Sequence, residues 1–163
     1  MSGPRICFVT TFYPPLHFGG DGIAVQRLAR ALSAQGLDVT VVHDADAYRA
    51  LAHRPAAGRC AEEDRGVRVV TLRTRMPLLS TLLTHQTGRP VVNRRRLSDV
   101  LAPGAFDVIV FNNVSLVGGP ALFAYGGHAA KIYLAHEHWL VCPTHVLWRH
   151  RREIGRASCR ERV

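Results

Sequence analysis

The first forty-odd residues constrain the fold more tightly than any other part of the chain. An apolar run from Ile6 to Thr10 stops at Thr11-Phe12-Tyr13-Pro14-Pro15. Leu16-His17-Phe18-Gly19-Gly20-Asp21-Gly22 follows, then an amphipathic pattern to Gln35-Gly36, then a second apolar run from Val39 to Val42. This order reads as strand, glycine-rich loop, helix, strand: one βαβ unit with an enlarged first loop. A βαβ unit commits its strands to a parallel sheet with a right-handed crossover. It also places the loop at the carboxyl end of the first strand, where open α/β sheets bind ligands.

The remainder repeats the theme. Helix one is expected from Asp21 or Gly22 to Gln35, with Asp21 as N-cap and Gly36 just past the C-terminus. Ala24, Leu28, Ala31, Leu32 and Gln35 share the face expected to pack on the sheet. Strands are expected at Asp38–His43, Val67–Arg73, Val108–Phe111 and Lys131–Ala135. A short helical turn is expected near Ala47–His53, a helix from Asn93 to Leu101, and another over Leu116–Tyr125. Thr74 to Pro90, with Pro77, Gly88 and Pro90, reads as irregular. Near-continuous apolar strands alternating with helices imply a parallel sheet covered on both faces. Glu153 to Val163 shows no periodicity and resembles the translation of a widely used sequencing adapter. The expected domain is therefore 1–152, with 153–163 a non-native tail.

Composition narrows the function classes. The chain has 163 residues and a net charge of +9, and Lys131 is its only lysine. GC-rich coding accounts for arginine replacing lysine; a surface facing anionic lipid or a phosphorylated substrate is the functional counterpart. No Lys/Arg-rich arm of the nucleic-acid-binding kind occurs. No apolar run is long enough to span a bilayer, and no signal-peptide pattern precedes the first strand. Cys7, Cys60, Cys142 and Cys159 lack C-x-x-C spacing and read as reduced thiols of a cytoplasmic protein.

Two segments carry candidate chemistry. Gly19 and Gly20 ahead of a helix let backbone N–H groups approach an anion, so Gly19, Gly20 and Asp21 form a candidate substrate- or phosphate-binding loop. A dinucleotide fingerprint is a poor fit, because its first glycine belongs in the turn right after the strand. Asp44, at the end of the second strand, nonetheless stands about where a ribose-binding acid would. A merely flexible turn is the bland alternative for the glycines; the favoured reading is a loop that closes over a sugar or phosphate. The second segment, Tyr133 to Arg149, ends a strand in His136-Glu137-His138-Trp139. His136 and His138 alternate on an extended chain, and with Cys142 and His145 they match no common zinc spacing, so no metal is expected.

Together these segments resemble the N-terminal domain of family 4 retaining glycosyltransferases, which have the GT-B fold. Tyr13-Pro14-Pro15, Gly19-Gly20, Leu28-Ala29-Arg30-Ala31-Leu32, Gly36 and Val39-Thr40-Val41 match its opening in order. His136 matches its strand-end histidine, though the commoner His-Asp is His136-Glu137 here. The resemblance implies an α/β, Rossmann-like parallel sheet flanked by helices, forming the N-terminal half of a GT-B fold whose C-terminal half is missing. It implies a transferase taking sugar from a UDP- or GDP-sugar to a glycan, lipid or small-molecule acceptor with retention, and no added cofactor. His136 becomes the candidate catalytic residue, and His17, Asn112, Glu137 and His138 become candidate acceptor contacts. Arg94, Arg95 and Arg96 become a candidate contact with anionic membrane at the inner face of the cell. A nicotinamide-dependent oxidoreductase domain and a non-catalytic sugar- or lipid-headgroup-binding module are the alternatives.

Overall fold

The computed structural model describes residues 3–52, 61–136, 148–149 and 152–153. In chain order the elements are β1 (Arg5–Thr10), α1 (Gly20–Ala34), β2 (Asp38–Asp44), α2 (Ala45–Leu51), β3 (Glu63–Asp64), β4 (Val67–Leu72) and α3 (Pro77–Thr87). Then come α4 (Arg94–Val100), β5 (Val108–Asn112), a 3₁₀ helix at Gly119–Ala124, β6 (Ala130–Leu134), β7 (Trp148–Arg149) and β8 (Arg152–Glu153). One six-stranded sheet runs β3-β4-β2-β1-β5-β6, and β7 pairs with β8 in a separate two-stranded ladder. Only the β3–β4 pairing within the large sheet is antiparallel. The chain is thus α/β, with a mostly parallel sheet flanked by helices and a strand order compatible with a Rossmann-like fold. Strand order reverses between β1 and β5, and that reversal creates a crevice at the strands' carboxyl ends.

The strands are apolar on both faces because both faces are covered. Ile6, Phe8, Val39, Val41, Val67, Val69 and Val110 pack one face against Val25 and Ala29 of α1. Cys7, Val9, Val42, Leu72, Ile109 and Phe111 turn to the other face, where Leu97 and Leu101 lie. Each fully buried side chain of this kind contributes about 1.5–3 kcal/mol. Burial pushes the Cys7 thiol far above its ordinary range.

Several local expectations are corrected. The stripe α1 buries is Gly22, Val25 and Ala29; Ala24, Leu28 and Ala31 face outward. Small residues on the sheet side let the helix sit close. Gly19, rather than Asp21, is the N-cap, and no side chain caps the helix there. Gly36 closes α1 as expected, at φ 84°, with its N–H donating to the Ser33 carbonyl and that of Leu37 to Leu32. The segment read as irregular contains α3, which starts with Pro77 in its first turn and ends at left-handed Gly88. Proline in a first turn and glycine at a C-cap promote a helix rather than break one. The expected helix over Leu116–Tyr125 is a short 3₁₀ turn instead, entered through Gly118 and Gly119.

Candidate functional site

The site grows from how β1 ends. Thr11 donates its backbone N–H, at 2.9 Å, and its hydroxyl to the Asn113 carbonyl just beyond β5. The Thr11 carbonyl accepts from the Asp44 N–H at the end of β2. Three strand ends are therefore tied at the point where strand order reverses. Asn113 has φ 43°, a left-handed conformation that asparagine tolerates better than most residues. Its side-chain amide donates to Asp21 Oδ2 at 2.7 Å, and its Oδ1 accepts from Ser115 Oγ.

The enlarged first loop is held from several sides. Tyr13 and Leu16 exchange two backbone hydrogen bonds. The buried Tyr13 hydroxyl donates to Asp64 at 2.9 Å, and Asp64 also accepts from Gln26 and Arg30. Burial favours the neutral form of Asp64, but the bonds from Arg30, Tyr13 and Gln26 outweigh it and hold the carboxyl below its usual range. Burial and the Asp64 charge push the Tyr13 hydroxyl up. The Phe18 ring stacks on Tyr48 of α2 at 4.7 Å.

Of the loop's three glycines, Gly22 has the steric requirement. A Cβ there would lie 3.0 Å from the Phe12 carbonyl oxygen and 3.2 Å from His17 Cβ. A Cβ on Gly20 would meet nothing within 4 Å, because that residue borders open space. The space is an open cavity of about 370 Å³ lined by Gly20, Asp21, Asn113 and His136. Residues from the first turn of α1 and from just past β6, more than a hundred positions apart in sequence, thus share one crevice.

Other candidates fall elsewhere. Gly19 caps α1 but does not line the cavity. His17 turns back on its own loop, with Nδ1 3.1 Å from the Gly19 carbonyl. Asn112 is fully buried, donates to Thr10 Oγ1 and leaves its Oδ1 without a partner; its neighbour Asn113 takes the lining position. β5 ends at Asn112, and the left-handed turn at Asn113 swings the second asparagine's side chain towards Asp21 and the crevice. Arg94, Arg95 and Arg96 are exposed at the start of α4 and do not line it. Glu137, His138, Cys142 and His145 lie outside the described residues.

Asp44 is committed to structure. Its carboxylate accepts from the Asp46 and Ala47 N–H groups and caps α2, and its side chain is buried. Burial, only partly offset by those two bonds, pushes its carboxyl up to about 7. A group so enclosed has no face to offer a ribose. No cluster of His, Cys, Asp or Glu among the described residues could hold a metal ion, and no described helix is long and apolar enough to cross a membrane. Comparison with models of protein families, with curated proteins and with solved structures returns no match to this chain.

Proposed function

We propose that this chain is the N-terminal half of a retaining glycosyltransferase of the GT-B type, and that the crevice between the β1–α1 loop and His136 receives a sugar. The observation that carries the reading is the cavity itself. It joins the glycine loop and the strand-end imidazole, the two segments on which the family resemblance rests. The complete enzyme would close a second domain over this crevice, binding the nucleotide-sugar donor and excluding water.

The lining residues favour hydroxyl groups over phosphate. The α1 N-terminus alone would attract an anion, but Asp21 stands in its first turn and already supplies a negative charge. A phosphate placed there would meet that carboxylate. A sugar would find Asp21 as acceptor, the Asn113 amide beside it, and the His136 imidazole as either donor or acceptor. The acceptor sugar, or the transferred sugar of the donor, fits this arrangement better than the diphosphate does. The oxidoreductase alternative loses support because Asp44 is enclosed and the loop glycines lack a dinucleotide spacing.

The test is saturation-transfer NMR on the chain with neutral glycosides, UDP- and GDP-sugars, and nicotinamide dinucleotides. Contact is expected through sugar-ring protons, weakened at least ~tenfold in Asp21→Ala and His136→Ala, whose lost groups each supply one hydrogen bond to the ligand. The chain alone is expected to turn over no donor in a radiolabelled transfer assay. Tight, saturable dinucleotide binding in place of sugar contact would replace this reading with the oxidoreductase one.

A further inference from the structure

Phe18 combines exposure with order. Among the described residues up to His136 it is the one phenylalanine or tyrosine left exposed, at 53%. A single apolar residue on a surface calls for no explanation, and an exposed side chain ordinarily moves freely. This ring is held by two others. Tyr48 of α2 stacks on it, with ring centroids 4.7 Å apart and planes within 19°. Phe12 meets it edge to face at 5.2 Å, with the planes 81° apart. Both partners are half-buried and anchored by their own segments: Phe12 follows the tied strand end at Thr11, and Tyr48 lies on the helix that Asp44 caps. The orientation of Phe18 is therefore set before any ligand arrives, and little freedom is lost when one does.

Its place in the chain gives the ring a use. Phe18 stands two residues before Gly20, which lines the crevice, so their backbones lie within ~7 Å of each other. The side chains lining the crevice, Asp21, Asn113 and His136, are all hydrogen-bonding groups. A sugar has needs of both kinds. Its rim carries hydroxyls, and its faces carry polarised C–H groups that the negative face of a phenyl ring attracts. We propose that Phe18, backed by Tyr48, is a second sugar subsite, and that the acceptor is an oligosaccharide with one ring hydrogen-bonded in the crevice and the next lying on Phe18. The inference rests on the crevice being a sugar site and goes beyond it by naming the class of acceptor. A nucleobase would also stack on Phe18, but it would bring its phosphates against the Asp21 carboxylate. A protein partner needs a broad patch, whereas this ring is followed by two bare glycines, Gly19 and Gly20.

NMR titration of the full chain with methyl mannoside, methyl mannobioside, methyl glucoside and methyl maltoside tests it, with uridine and guanosine monophosphates alongside. At least one disaccharide is expected to bind about fivefold tighter than its monosaccharide. Phe18→Ala should abolish that gain and leave monosaccharide affinity unchanged, because the ring is exposed and its removal opens no buried cavity. Phe18→Trp should keep the gain or enlarge it, which a purely structural ring would not do. Equal affinity for both sugar lengths, a Phe18→Ala variant that weakens both alike or neither, or mononucleotide binding that is lost with the ring would each overturn the subsite. Absence of contact with every glycoside would remove the crevice reading itself, and the subsite with it.

Discussion

At the scale of single residues, the end of β2 sets two buried groups against each other. Burial holds the His43 imidazole down to about 4 and the Asp44 carboxyl up to about 7. His43 is neutral when folded and takes up a proton more readily when unfolded, so its contribution to stability grows as pH rises from about 4 to 6.5. Asp44 holds its proton more tightly when folded. Its contribution is complete below about 3.8 and is lost as pH rises towards 7. Between pH ~4 and ~6.5 the two slopes oppose one another. Asp44→Asn keeps a good capping residue and removes one of them. Chemical denaturation across that range should show the variant gaining up to ~1.4 kcal/mol per pH unit relative to the parent. At Asn113 a second comparison separates backbone from side chain. Asn113→Gly loses the amide bond to Asp21 but suits φ 43°, whereas Asn113→Ala loses the bond and strains the backbone. The alanine variant should be less stable than the glycine variant by about 1–2 kcal/mol in urea titration.

At the scale of elements, two glycine turns differ in what they demand. At Gly36 the demand is conformational, since φ is 84° and nothing lies within 4 Å of an added Cβ. Gly36→Ala should cost about 1 kcal/mol. Gly119 combines φ 60° with the Gly88 backbone 2.7 Å from an added Cβ. Gly119→Ala should cost about 2–4 kcal/mol, read as a lower denaturation midpoint. The same contrast explains what the sequence made legible. Gly36 ends a periodic run and is followed by a strand, so its role can be read locally. The place of Gly119 depends on Gly88, thirty-one positions earlier, and no local pattern announces that contact. The βαβ opening and the parallel strands were readable because strands covered on both sides are continuously apolar. Helix α3 escaped because Leu78, Leu79 and Leu82 face out while Ser80, Thr81 and Thr84 face in, which reverses the pattern by which helices are recognised. The tiny β3 escaped because two acidic residues, Glu63 and Asp64, carry no strand signature; their partner β4 does. The crevice was half legible: Gly20, Asp21 and His136 stood out by type and position. Asn113 did not, because its orientation follows from a backbone reversal.

At the scale of the whole molecule, protection should be graded across the sheet. β1 lies between β2 and β5, and its residues from Ile6 to Thr10 are buried. β6 borders the sheet on the other side of β5 and is exposed or half-buried along its length. Native-state hydrogen exchange should find β1 and β2 amides opening only with global unfolding and β6 amides opening sooner. Uniform protection from β1 through β6 would mean the sheet opens as one unit. On that expectation His136, just past β6, sits on the bank that opens sooner, while Asp21 is tied through Asn113 to the ends of β1 and β5. The knot at Thr11 has a further consequence. Its amide, hydroxyl and carbonyl all find partners in neighbouring strand ends, so the sheet is finished before residue 12 begins. The segment from Phe12 to Phe18 is then anchored separately, through the buried Tyr13 and Leu16 and the Phe18–Tyr48 stack. Its hold on the crevice is indirect: through Phe12 and His17 it packs against Gly22, one residue past Asp21, so a change of its length would be felt in the core before it reached the lining.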